Sequence, residues 1–295
     1  MTRCPNGTRR NKKTLECEPV KTVTPVDDYN IFNVMCKRHI MVPTLDNVLK
    51  TTWMCNHDSN IFLIGEMHAP HTKCTGILNM LKSLIKENSQ LPNRPEIDFF
   101  VELTQYSSSK MLTTTKTQMS YIRTFLLNCI KERICTIRVH WTDPTQTDHK
   151  YNIPDWLQEL SKTKLFTDEW TQTPLIREQL QTEKDILKLI TENRFVMKEV
   201  EKARQVNKKF TLAFVKRLFL SMWQQNKTRF GLDWTLLVKL QLRHVMDFYS
   251  VARIIKSKMK HVVYYAGNIH TDNAIQILSE LNFDKKQQVL GECVN

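Results

Sequence analysis

From residue 61 onward the chain repeats one pattern: a short, continuous apolar run stops abruptly at polar residues with reactive side chains. The first run is Ile61-Phe62-Leu63-Ile64, followed by Gly65-Glu66-Met67-His68. The second is Ile97-Asp98-Phe99-Phe100-Val101, followed by Glu102. The third is Ile134-Cys135-Thr136-Ile137-Arg138-Val139, followed by His140-Trp141-Thr142-Asp143. The fourth is His261-Val262-Val263-Tyr264-Tyr265-Ala266, followed by Gly267-Asn268-Ile269-His270. Such runs, too short for helices and apolar on both faces, predict buried strands of a mostly parallel sheet.

Between them the period changes. Ile77, Met80, Leu81, Leu84 and Ile85 share one face of a helix predicted over 76–87. Ile122, Phe125, Leu126, Cys129 and Ile130 do the same over 119–131, and a last helix follows His270 over 271–281. Strand and helix in alternation imply right-handed crossover units. The fold class expected is therefore α/β. Residues 155–260 break the alternation. They are strand-poor, with helical spacing at Ile186, Leu187, Leu189 and Ile190 and again at Leu236, Leu237, Leu240, Val245 and Phe248. The expectation is a long helical insertion before the last strand, forming a cap over the strand ends. Residues 1–28 read as an appendage to one domain over 29–295. It holds Pro5, Gly7, Pro19, Pro25 and a basic run at 9–13 bracketed by Cys4 and Cys17. A flexible basic tail, a two-cysteine hairpin and half of a metal site all fit it, the tail being the favoured reading.

Composition narrows the classes. The chain has 295 residues, 41% hydrophobic and 25% charged, ordinary for a globular domain. Six glycines are too few for a turn-rich sandwich or propeller. A net charge of +13 favours weak, non-specific contact with polyanions, or simply a solvated basic surface. The eight cysteines contain no CxxC pair, and the opening residues lack the apolar core of a signal peptide, so free thiols in a reducing compartment are expected. The sequons at Asn6 and Asn226 would then stay unused. No apolar run spans a bilayer; the closest, 210–223, is broken by Lys216 and Arg217.

In an open α/β sheet, ligands bind outside the carboxyl ends of the strands. That rule gathers Glu66, His68, Glu102, His140, Asp143 and His270 into one crevice. Two of the six glycines open matching Gly-x-x-His tetrapeptides, Gly65 to His68 and Gly267 to His270. Glycine there is expected to free the exit turn for close backbone approach to a ligand. Two imidazoles and a carboxylate suit a divalent metal with an open position for water, with His71 a spare ligand or base. Without a metal, Glu66 and Glu102 form a general acid–base pair. Cys74 as nucleophile is a third option without a local signature. Walker A, Rossmann glycine and HExxH patterns are absent.

These motifs resemble those of a group of proteins from nucleocytoplasmic large DNA viruses. That group shares a GE/GD-x-H after an apolar strand, a strand ending in Glu, an R-x-H-x-x-D segment and a Y-x-G-x-x-H. The counterparts here are Gly65 to His68, Phe100-Val101-Glu102, Arg138 to Asp143 and Tyr265 to His270. Met246-Asp247-Phe248-Tyr249 with Arg253, and the opening Arg3-Cys4-Pro5-Asn6-Gly7-Thr8-Arg9, also look similar. The likeness spans 1–20 and about 60–285. Asn268 stands where the viral group often has Asp. More distantly, the chain is similar to the superfamily with two GxxH motifs that includes TraB, Tiki, ChaN-like and erythromycin-esterase-like proteins. The helical insertion has no counterpart there.

The resemblance implies a metal-assisted hydrolase of an ester or amide, in the host cytoplasm or virion and not secreted. His68, Glu102 and His270 would hold a divalent metal; Glu66 or His140 would be the base, with Asp143 orienting His140. An inactive virion or host-interaction scaffold of the same fold, and a basic nucleic-acid-associated protein, are the alternatives.

Overall fold

A computed structural model describes residues 8–10, 17–19, 28–43, 45, 48–67, 76–92, 94–102, 118–142, 173–179, 181, 194, 198, 201–202, 205, 243–257 and 260–291. In the N-terminal appendage, β1 (Thr8–Arg10) and β2 (Cys17–Pro19) pair antiparallel with Arg10 opposite Cys17.

The main sheet has six strands. They are β3 (Val48–Cys55), β4 (Asn60–Glu66), β5 (Ile97–Val101), β6 (Arg138–Trp141), β7 (His261–Gly267) and β8 (Asp284–Leu290), in the order β6-β5-β7-β4-β3-β8. The four strands expected from the apolar runs lie side by side and parallel. Their centre is buried on both faces, which is why they read as continuous apolar runs. Three expectations need correction. The strand at 261–267 is not the last: β8 follows and pairs antiparallel with β3, itself antiparallel to β4. Neither flanking strand carries a continuous apolar run; β8, at the sheet edge, is almost wholly exposed. The third strand begins four residues late, because Arg133 takes a left-handed turn (φ 57°) that leaves Ile134 exposed. His140 thus lies inside β6 rather than after it.

Helices α1 (Asp28–His39), α2 (Gly76–Gln90) and α3 (Gln118–Lys131) pack on one face of the sheet. The apolar face anticipated for α2 is buried in full. On α3, Ile122, Leu126 and Cys129 are buried, but Ile130 is exposed. Helix α1 buries Phe32, Met35 and Cys36 at helical spacing. Its basic last turn suits the helix dipole and reaches α2, where Arg38 and His39 contact Glu87 at 2.8 and 2.7 Å. Helices α4 (Arg243–Lys256) and α5 (Asn268–Glu280) cover the opposite face through Phe248, Val251, Ala274, Ile277 and Leu278. Of the expected insertion over 155–260, the described parts are α4, a helical turn at 174–179 and isolated helical residues; Ile186 to Ile190 and Leu236 to Leu240 lie outside the described residues. No helix among the described residues is long and apolar enough to cross a membrane.

The last parallel strand to be added, β7, slots between β4 and β5. The helix after β7 lies on one face, while those after β4 and β5 lie on the other. Chain exits therefore diverge on both sides of β7, the condition for a crevice at the strand ends.

Candidate active site

Two residues anticipated from the motifs meet beside β7. Glu102 follows β5 directly, and its N–H donates to the Tyr265 carbonyl at 3.0 Å, extending the ladder by one step. Its Oε2 accepts the Gly267 N–H at 2.6 Å. Gly267 is the N-cap of α5, so the carboxylate sits at the positive end of that helix. His270 lies in the first turn of α5, and its Nε2 is 3.4 Å from Glu102 Oε1. Both side chains are mostly buried but reach solvent, 14% exposed for Glu102 and 18% for His270.

The other ring nitrogen is held from behind. His270 Nδ1 stands 2.6 Å from Oδ1 of Asp247, which projects from α4 and is 0% exposed. Asp247 Oδ2 accepts from Asn273 Nδ2 at 2.7 Å, and Gln179 donates to Asn273 Oδ1 at 2.8 Å. A carboxylate that accepts on both oxygens assigns a proton to Nδ1, and Nε2 faces Glu102. Burial raises the Asp247 pKa; the contacts with His270 and Asn273 pull it back in part, and the nearby Glu102 charge pushes it up again. Tyr264, beneath the pair, has its pKa pushed far up by burial and by the charges of Asp247 and Glu102.

The glycines serve a different purpose from the one expected. Gly65 lies within β4, and a Cβ there would come 2.7 Å from Asn268 Oδ1 and 3.2 Å from Asn268 Cα. Its lack of a side chain lets the start of α5 close on β4. Thr271 ties the same junction, with its hydroxyl 3.2 Å from the Gly267 carbonyl and 3.4 Å from that of Ile64. Gly267 has φ −58°, which any residue adopts.

The remaining anticipated residues divide. Glu66 ends β4 opposite Gly267 but shares a sheet face with Ile64 and Tyr265, the α1–α3 side. There it is buried and accepts from the Tyr265 hydroxyl. His140 is on β6 and stacks on Phe100, ring centroids 4.5 Å apart. Its Nε2 is 2.9 Å from Asp98 Oδ1 and its Nδ1 3.2 Å from Arg253 Nη2. Arg138 also bonds Asp98, at 2.7 Å. Burial alone would raise the Asp98 pKa, but the contacts with His140 and Arg138 outweigh it and hold the carboxyl below its usual range. His68, His71, Cys74 and Asp143 lie outside the described residues.

Sequence reasoning gave no role to Asp247 or Asp98. Each left the same signal: a lone carboxylate on an otherwise apolar face, Asp98 inside a buried strand and Asp247 beside Phe248 and Val251. Buried carboxylates need partners, so each marks a polar contact from elsewhere in the chain.

Among the described residues, no group of three or more His, Cys, Asp or Glu is disposed to hold a metal ion. The pair Glu102 and His270 fits two positions of such a set, with Asp247 in the outer-shell position that metal-bound histidines commonly use. No protein-family model, curated protein or solved structure matches the chain.

Proposed function

We propose that the protein is a metal-assisted hydrolase acting on an ester or amide. The observation that carries this reading is the 3.4 Å separation of His270 Nε2 and Glu102 Oε1, with Nδ1 already committed to Asp247. An imidazole nitrogen and a carboxylate oxygen at this distance can share a cation, either a proton on Nε2 or a divalent ion. Tetrahedral ligands about 2.0–2.1 Å from a zinc-like ion stand about 3.4 Å apart. A direct hydrogen bond would instead draw them to about 2.7–2.9 Å.

His270 and Glu102 would hold a divalent ion, and His68, from the matching tetrapeptide, would be the third ligand. When bound, such an ion lowers the pKa of its water and polarises a carbonyl. Asp247 keeps the His270 lone pair at Nε2, and Gly267 fixes one oxygen of Glu102. Of the two candidate bases, Glu66 is buried on the α1–α3 side and accepts from the Tyr265 hydroxyl, and His140 is engaged by Asp98 and Arg253, so the base role is assigned to neither. The resemblance to two-GxxH proteins supports the same reaction class, and the viral group supports a setting in the host cytoplasm or virion.

The test is metal analysis of the purified full-length protein with His68→Ala, His270→Ala and Glu102→Gln variants, alongside hydrolysis of activated esters. A bound metal in the wild type, reduced in all three variants together with activity, is expected. Wild type without metal, and variants equal to it in every rate, would overturn the reading in favour of an inactive scaffold. Hydrolysis that survives chelation would point instead to His270 as a metal-free general base oriented by Asp247.

A further inference from the structure

Two exposed apolar side chains adjoin this site along the chain. Seven large apolar side chains are exposed among the described residues. Five of them lie on α1, α3, the turn after α3 and β8. The other two, Met67 and Ile269, are 46% and 58% exposed and hold the same place in the two tetrapeptides, each just before the histidine. Glu66 and Gly267 are register partners on adjacent parallel strands. Met67 and the start of α5 therefore leave the sheet side by side, on strands about 4.8 Å apart. Ile269 also adjoins His270 in the first turn of α5.

We propose that Met67 and Ile269 form an apolar lip that binds the acyl chain of the substrate, so that the ester or amide cleaved is a fatty-acyl one. The proposal rests on the hydrolytic reading of the same site and specifies its substrate class. Small-molecule sites pair a few fixed polar groups with apolar walls. Here the polar centre is Glu102, His270 and Asp247, and the lip supplies the apolar part. A sugar or phosphate substrate would call for donors at these two positions, and neither residue has one.

Binding separates this proposal from the reading beneath it. The full-length protein, loaded with one equivalent of zinc, is titrated calorimetrically with acetohydroxamate and with octanohydroxamate, which share one chelating head. The longer probe is expected to bind about tenfold tighter or more, since each methylene taken from water adds to affinity. Met67→Ser with Ile269→Ser, both on the surface, should bring the two affinities together and leave that for acetohydroxamate unchanged. Equal binding of both probes by the wild type would overturn the acyl lip and leave the metal site standing. Chain-length preference that persists in the double variant would overturn it too, placing the chain elsewhere. Failure to hold zinc or either probe would overturn the hydrolytic reading and the lip with it.

Discussion

Replacing Asp247 by Asn should reverse the proton on His270 without emptying the site. In the wild type both carboxylate oxygens accept, one from His270 and one from Asn273. An amide has one accepting oxygen and an NH2 group that only donates. If its oxygen keeps Asn273, its NH2 faces His270 Nδ1, which must then give up its proton. The proton moves to Nε2, toward Glu102, and the lone pair needed for a metal is lost. Loss of such an outer-shell partner costs about 10–100-fold in metal affinity.

Stability should change far less, with a definite pH dependence. The Asp247 pKa is raised in the folded protein, chiefly by burial. A raised pKa means the native state binds that proton more tightly than the unfolded chain. Its stabilisation is complete below the ordinary carboxylate pKa of about 4 and is lost as pH rises through the raised value. The Asn variant lacks this loss, so its deficit against wild type should narrow from pH 4 to pH 7. Asp247→Ala is different, because it removes the acceptor that His270 Nδ1 and Asn273 Nδ2 share, a cost of about 2–6 kcal/mol at 1–3 each. Long-range proton–nitrogen correlation spectra report the tautomer, and zinc competition against a chelator reports the affinity. Retention of the Nδ1 proton in Asp247→Asn, with zinc affinity within twofold of wild type, would refute the positioning role.

Other expectations follow from the same contacts. Gly65→Ala should cost about 1–3 kcal/mol in urea unfolding through overpacking against Asn268, and adding Asn268→Ala should restore part of it; a Gly65→Ala protein as stable as wild type would refute the close-approach argument. Asp98→Asn should cost about 1–3 kcal/mol at pH 7, since Asp98 loses charged contacts with His140 and Arg138. Because the Asp98 pKa is lowered, that stability is present above the ordinary carboxylate value and fades as pH falls through the folded one, so wild type and variant should converge in acid. Contact with nucleic acid, expected from the +13 charge, should be sequence-independent and should collapse between about 50 and 200 mM salt; tight binding to one sequence at high salt would contradict it.

The parallel centre of the sheet was legible because double-sided burial writes itself as unbroken apolar runs, as in Ile61 to Ile64 and Val262 to Ala266. The flanking strands were not. In β3, Lys50, Thr51 and Thr52 interrupt the apolar run; in β8 the ladder is held by backbone bonds that leave no trace in Asp284-Lys285-Lys286-Gln287-Gln288. Likewise, convergence of Glu102 and His270 followed from strand polarity, because parallel strands end on one side. Face was the missing quantity for Glu66. Side chains alternate along a strand, so Glu66 takes the side of Ile64 and Tyr265, whereas α5 and its His270 pack on the other. Asp247 was out of reach for a different reason: which helix backs His270 depends on how α4 docks, and no local pattern encodes that.

The way Glu102 is used joins fold and site. Its N–H completes the β5–β7 ladder, one oxygen receives the Gly267 N–H at the head of α5, and the other faces His270 on that helix. These contacts bridge β5 and the β7–α5 junction, so the carboxylate reaches its position only once β7 has entered between β4 and β5. Gly65 and Thr271 then draw the start of α5 onto β4 from the other side. His270 is thereby held by its helix and by Asp247 of α4, with Glu102 facing its other nitrogen. A histidine serving only to fill space would be satisfied by one partner. Two carboxylates on one imidazole, in a crevice still open to solvent, are the arrangement expected where the ring must present a chosen nitrogen to something that arrives from outside.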